Sequence, residues 1–286
     1  MIYRRRPSPL HAARAGAGAA YCAALAVVAL VGDSPLLLVA ALVAVIGAGA
    51  GAGVLGELRR GARVALPLAL LIALINPIVT REGLTVIARG GGVPVLGQLD
   101  ITLEACVYGL LLGVRAFVLI EAFALYSAAV DPDEILRLFR RVSLRSALTA
   151  TLATRMVPVL ARDARRFADA QSARAARPAP RRAIVRAVAT GALERAVDIA
   201  ATLELRGYGS ARRPPRAHRP WSRHDVSFAA AAIALVTLAA GGRIAGGAAF
   251  TAYPRLHVAA GAVDFALAAA LVACAMAPFA DRRGVA

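Results

Sequence analysis

Residues 36–55 read LLLVAALVAVIGAGAGAGVL, a stretch without a single charged or hydrogen-bonding side chain. At 1.5 Å per residue a helix of that length covers about 30 Å, the hydrocarbon thickness of a bilayer. The rest of the chain agrees with that solvent. Of its 286 residues 59% are hydrophobic and only 5% aromatic, and the mean hydropathy is +0.65, whereas a soluble domain is roughly 45–50% apolar. The apolar residues are gathered into runs rather than spread at core periodicity. The sequence therefore specifies an all-α integral membrane protein.

Six runs stand out, at 15–32, 36–55, 64–79, 101–129, 226–241 and 256–279. A span needs about 20 apolar residues, so 64–79 and 226–241 are short and must borrow length from their flanks. The fourth run exceeds the bilayer and is expected to tilt or project beyond it. It carries Glu104, Arg115 and Glu121, and the first two, eleven residues apart, fall on one helical face. Charges inside a span face protein or water rather than lipid. Pairing within the bundle is the simpler reading of these three, and a direct role in transport the sharper one.

Every basic residue is an arginine. Arg4, Arg5, Arg6 and Arg14 precede the first run, Arg59, Arg60 and Arg63 precede the third, and twenty arginines lie between 130 and 224; the stretches around 80–100 and 242–255 hold two each. By the positive-inside rule both termini and the 130–224 segment are cytoplasmic, which requires an even number of spans in a multi-pass protein of the cell membrane. The expected organisation is spans one to four over 1–129, a cytoplasmic helical segment over 130–224, and the last two spans over 225–286. No small-residue cleavage site follows the first run closely, so the N-terminal pair of runs reads as an uncleaved hairpin turning at Gly32-Asp33-Ser34-Pro35. Cys22, Cys106 and Cys274 are scattered through apolar runs and read as buried structural thiols.

The 130–224 segment holds twenty arginines against eight acids, a net +12 of the chain's +17. A partner of negative charge is implied: anionic lipid, nucleic acid or an acidic protein surface. Arginines beside a bilayer are drawn to anionic lipid at about 1 kcal/mol each, whereas no binding motif or aromatic platform points to nucleic acid. The segment opens with AVDPDEILRLFRR, in which Asp131 can cap a helix starting at Pro132, and Asp133 and Glu134 suit its first turn. A long helix is expected from Ser146 to about Ala176, kinked at Pro158, with an apolar stripe through Leu152, Met156, Leu160 and Phe167 that ends in Arg174. After RPAPRR (177–182) a second helix is expected from about Ala183 to Leu205. Here Ala192, Ala196, Ile199, Leu203 and Arg206 follow at spacings of 4, 3, 4 and 3, and Gly207 is the stop. Each helix thus ends an apolar stripe in one planar cation able to grip a carboxylate bidentately, unless Arg174 and Arg206 are simply two more solvated charges.

DPDEI after the fourth run, RMVPVL, AQSARA and ATLELRGYG in this order over residues 1–240 resemble the transmembrane T component of energy-coupling factor (ECF) transporters, a group that includes CbiQ-type cobalt-transport membrane proteins. The resemblance implies that two coupling helices dock into two ATP-binding cassette ATPases and that the membrane part cradles a small S component which binds a vitamin or transition-metal ion. It places the docking motifs at Ala173-Arg174-Ala175 and Leu205-Arg206-Gly207, flanked by Gln171 and Glu204. Ala175 stands where glycine is common and Leu205 where alanine is. ATP and Mg would be bound by the partners, with no cofactor or metal on this chain. A chain without lysine has no GxxxxGK[ST] phosphate loop, and neither an HExxH pair nor a GxSxG elbow is present. The competing readings are a membrane-anchored interaction protein with a lipid-binding basic segment and a stand-alone carrier or channel.

Overall fold

The computed structural model describes residues 3–80, 85–93, 97–139, 144–173, 181–207, 220–244, 261–281 and 283. Helices make up nearly all of them, and the protein is an all-α membrane protein. The chain divides into two units, one formed by Met1–Ile135 with Trp221–Ala286 and the other by Leu136–Pro220.

In the first unit a short turn of helix, α1 (Pro9–Ala12), leads into α2 (Ala15–Val31), α3 (Pro35–Gly51), α4 (Leu55–Val79) and α5 (Leu103–Ala129), and α6 (Pro132–Phe139) leaves it; α9 (Arg223–Ile244) and α10 (Ala262–Met276) complete it. By length and composition α4, α5, α9 and Ala262–Phe279 can each cross a membrane, and α2 and α3 are apolar helices of 17 residues. The six apolar helices fall on the six runs, but their lengths are redistributed. The third run gains its flank as expected, because the helix continues back through Arg63, Arg60 and Arg59 to Leu55. The second run loses residues instead. Gly53 adopts φ +70°, the Gly53 N–H donates to the Ala50 carbonyl at 3.0 Å and the Val54 N–H to the Gly49 carbonyl at 2.8 Å, so a Schellman turn closes α3 inside GAGAGAG.

The arginine-poor stretch around 80–100 contains an antiparallel pair, β1 (Val86–Val93) and β2 (Gly97–Thr102), which periodicity did not reveal. It leads directly into α5, where Thr102 caps the helix by accepting from the Ala105 N–H at 3.4 Å.

The core gathers around α2, which packs against α9, α5 and α3. Tyr21 is fully buried between Phe228 and Phe279, with ring centroids 5.2 and 6.2 Å away, and its hydroxyl donates to the Ala275 carbonyl at 2.9 Å. In a bundle whose outer surface meets lipid, such close packing and buried hydrogen bonds carry association that the hydrophobic effect does not. Close approach also joins α4 to α5: a Cβ added at Gly113 would lie 2.5 Å from the Ala69 carbonyl oxygen, so the two backbones are in contact there.

The second unit consists of α7 (Leu144–Ser172) and α8 (Arg181–Leu205), packed on each other. Helix α7 continues through Pro158. Asp163 and Arg195 bridge the pair at 3.0 Å.

Candidate functional site

Leu205-Arg206-Gly207, the second motif of the resemblance, sits at the end of α8. The Arg206 N–H still donates to the Thr202 carbonyl at 3.1 Å, but the Gly207 N–H turns to the Glu204 carbonyl at 2.9 Å and Gly207 takes φ +77°. An L side chain in that left-handed region costs about 1–2 kcal/mol, so glycine makes the stop abrupt. Immediately before it Leu205 is 89% exposed, and Glu204 and Arg206 are exposed too. The helix end therefore presents one large apolar side chain and one guanidinium to its surroundings.

Of the first motif, Ala173 is described: its N–H donates to the Asp169 carbonyl at 3.0 Å, and the Ser172 hydroxyl donates to the same carbonyl at 2.7 Å. Gln171 is half-buried on the last turn of α7. Arg174 and Ala175 lie outside the described residues.

The apolar stripes have a use that spacing alone did not show. Leu152, Met156, Val159 and Leu160 of α7 and Ala192, Ile199 and Leu203 of α8 are half-buried, as expected where α7 and α8 cover one another. Most of each stripe is thus spent on the partner helix. What remains exposed is Leu205 at the tip and, along the shafts, Val157 and Phe167 of α7 and Val185, Leu193, Ala196 and Val197 of α8.

The charges of α5 occupy three distinct settings. Glu104, 4% exposed, accepts from the Thr85 hydroxyl at 2.9 Å and the Thr85 N–H at 3.3 Å, tying the hairpin to the first turn of α5. Arg115 donates to the Gly32 carbonyl at 2.7 Å and to Asp33 at 3.1 Å, so its carboxylate partner is Asp33 rather than Glu104. Glu121 is 3% exposed and its Oε1 has no hydrogen-bond partner among the described residues.

Several residues whose partners the sequence did not indicate hold the ends of the bundle. Asp33 also receives Arg243 at 3.2 Å. At the opposite end of α2, Asp225 is fully buried; it accepts from the Arg14 N–H at 2.6 Å and the Ser222 N–H at 2.8 Å and faces the Arg14 guanidinium at 3.2 Å. Glu134 accepts from the Ala15 N–H at 3.2 Å, and the Arg14 guanidinium lies 5.4 Å over the Trp221 ring. Two carboxylates thus satisfy the orphan N–H groups at the start of α2 and meet the positive end of its dipole. As α6 begins, the Asp133 N–H donates to Asp131 at 2.9 Å, the cap expected from DPDEI. The chain leaves the first unit beside Glu134 and re-enters it beside Trp221, and both points are fastened to Arg14-Ala15.

Among the described residues no group of three or more His, Cys, Asp or Glu side chains is placed to hold a metal ion. The family model CbiQ, described as a cobalt transport protein, matches residues 7–216. No match is found among curated proteins.

Proposed function

We propose, from the premise that the chain belongs to the CbiQ cobalt transport protein family, that it is the transmembrane coupling component of an ECF-type importer. In this reading the chain catalyses nothing itself. Two ATP-binding cassette ATPases bind and hydrolyse Mg-ATP in the cytosol, and the ends of α7 and α8 are their docking points. A separate small membrane protein, the S component, holds the cargo, a transition-metal ion such as cobalt on the family description, with a vitamin as the other class.

The observation that carries the reading is the end of α8. A helix of 25 residues, about 37 Å long, stops at a left-handed glycine with Leu205 and Arg206 both projecting. That geometry suits a socket on a partner: the leucine buries apolar area and the guanidinium forks onto a carboxylate. The Asp163–Arg195 bridge favours α7 and α8 moving as a pair, so a displacement at the tips is passed along stiff elements rather than absorbed. Both termini would then face the cytosol, with the arginine-rich segment.

The test is co-purification from the native membrane in mild detergent, wild type beside the Arg174→Ala/Arg206→Ala variant. Two ATPase chains and a small membrane protein with the wild type, and loss of the ATPases alone from the variant, support the assignment. Absence of any ATPase from the folded wild-type complex overturns it in favour of a membrane-anchored interaction protein.

A further inference from the structure

Helix α4 is the least covered of the four long apolar helices: 17% of its apolar window is buried, against 28%, 39% and 33% for α5, α9 and Ala262–Phe279. It leans chiefly on α5. Its first turns carry Arg59, Arg60 and Arg63, all exposed. Residues three and four apart are neighbours on a helix surface, so Arg63 sits beside both of the others and the three guanidinium groups repel one another.

The nearest carboxylate does little to relieve them. Glu57 is engaged by Arg6 at 2.6 Å and reaches Arg60 only at 3.8 Å. Among the described residues neither Arg59 nor Arg63 has an ion-pair partner. On the same side the helix turns wholly apolar, with Leu70, Leu71, Leu74 and Ile78 exposed at helical spacing beyond Pro67.

We propose that this face of α4 is a binding site for an anionic phospholipid, its phosphate held by Arg59, Arg60 and Arg63 and its acyl chains lying along Leu70, Leu71 and Leu74. The length of the helix supports a lipid over a protein as the occupant. Val64–Val79 spans about 24 Å, less than the roughly 30 Å of the hydrocarbon layer, so Arg63, directly before Val64, is drawn to the level where phosphates lie. A protein partner would need acidic residues at that one depth; a bilayer supplies phosphate there on every side. Guanidinium and phosphate pair bidentately, and three adjacent cations relieve their repulsion by sharing one diester. The site is independent of the coupling role, since it needs no ATPase and no cargo.

The test is native mass spectrometry of the full chain in detergent with equimolar phosphatidylglycerol and phosphatidylcholine. The wild type is expected to retain phosphatidylglycerol preferentially, each arginine lost lowering that preference about fivefold. The Arg59→Gln/Arg60→Gln/Arg63→Gln variant is expected to show none. Arg181→Gln/Arg182→Gln/Arg186→Gln, which removes the same charge from exposed positions on α8, should retain the preference. No preference in the wild type, or equal loss in both variants, overturns the site. Photocrosslinking from benzoylphenylalanine at Leu74 in native membranes gives a second reading that needs no arginine variant. A phospholipid adduct supports the proposal, and an adduct to a second copy or to another membrane protein refutes it.

Discussion

Asp225→Ala is the substitution that should disturb this protein most for its size. Asp225 is fully buried, and its two oxygens serve the backbone N–H groups of Arg14 and Ser222 as well as the Arg14 guanidinium. Truncation leaves those donors and a poorly solvated cation without their acceptor, and breaking a buried pair in this way costs about 3–5 kcal/mol. Asp225→Asn keeps a carbonyl acceptor and loses the charge, so about 1–2 kcal/mol is expected. Unfolding of the purified chain in mixed micelles, followed by helical circular dichroism, measures both. On the proposed reading the two variants should also lower uptake per ATP hydrolysed in the reconstituted importer while leaving ATPase binding intact, because Glu134 and Trp221, where the chain leaves and re-enters the first unit, are both fastened to Arg14-Ala15. An Asp225→Ala chain within about 0.5 kcal/mol of wild type, the scatter of ordinary surface substitutions, would refute the structural half of this reasoning. Unchanged uptake per ATP in a destabilised chain would refute the functional half.

Three further outcomes follow from single side chains. On the proposed reading Arg206→Ala should weaken ATPase docking by about 2–5 kcal/mol, 30-fold or more, and Arg206→Lys should not restore it because lysine lacks the fork; surface plasmon resonance with the purified ATPases reads both. Gly113→Leu forces a side chain against the Ala69 carbonyl and should cost about 1–3 kcal/mol, seen as a lower thermal midpoint in detergent. His11 is buried, and that burial holds its imidazole below the ordinary value, opposed by the Ala128 carbonyl and reinforced by Arg6. The unfolded chain therefore binds a proton near pH 6.5 and the folded chain only at lower pH, so stability is full above about pH 6.5 and falls on acidification through that window. Thermal midpoints between pH 7.5 and 5.5 should drop less for His11→Gln than for wild type.

What could be read from the sequence divides by distance along the chain. Each apolar helix announced itself through its own residues, as did the Asp131 cap and the Gly207 stop, because hydropathy and capping are local. The lengths were less legible. Nothing in LLLVAALVAVIGAGAGAGVL forces the helix to end at Gly51, since alternating Gly and Ala also suit a close-packed membrane helix; the turn at Gly53 is decided by packing. Nor did periodicity mark the hairpin at 86–102, which mixes apolar residues with Gly90-Gly91-Gly92. The stripe on α8 was visible, but not that α7 would cover most of it. Least legible were Asp33 and Asp225: Asp225 meets Arg14 across 211 positions, and one aspartate at the start of an apolar run carries no sign of its partner.

Those two aspartates nevertheless explain how a bundle of small residues is fastened at its ends. Asp33 ties the end of α2 to α5 through Arg115 and to α9 through Arg243, and Asp225 with Glu134 ties its start to α9 and to the exit of α5. Fastening at both ends favours these helices moving together: the Arg14–Asp225 pair, with Asp225 fully buried, is costly to part, while the Asp33 pairs, with Asp33 and Arg243 at 49% and 63% exposure, add less. Among the described residues helix α4 has its one ion pair to another segment near its start, where Glu57 meets Arg6 at 2.6 Å, and beyond that it rests chiefly on α5, with backbone contact at Gly113. A displacement delivered to Arg14-Ala15 should therefore shift α2, α5 and α9 as one body, while the freedom to adjust to lipid, or to a cargo-binding partner on the proposed reading, is concentrated in α4.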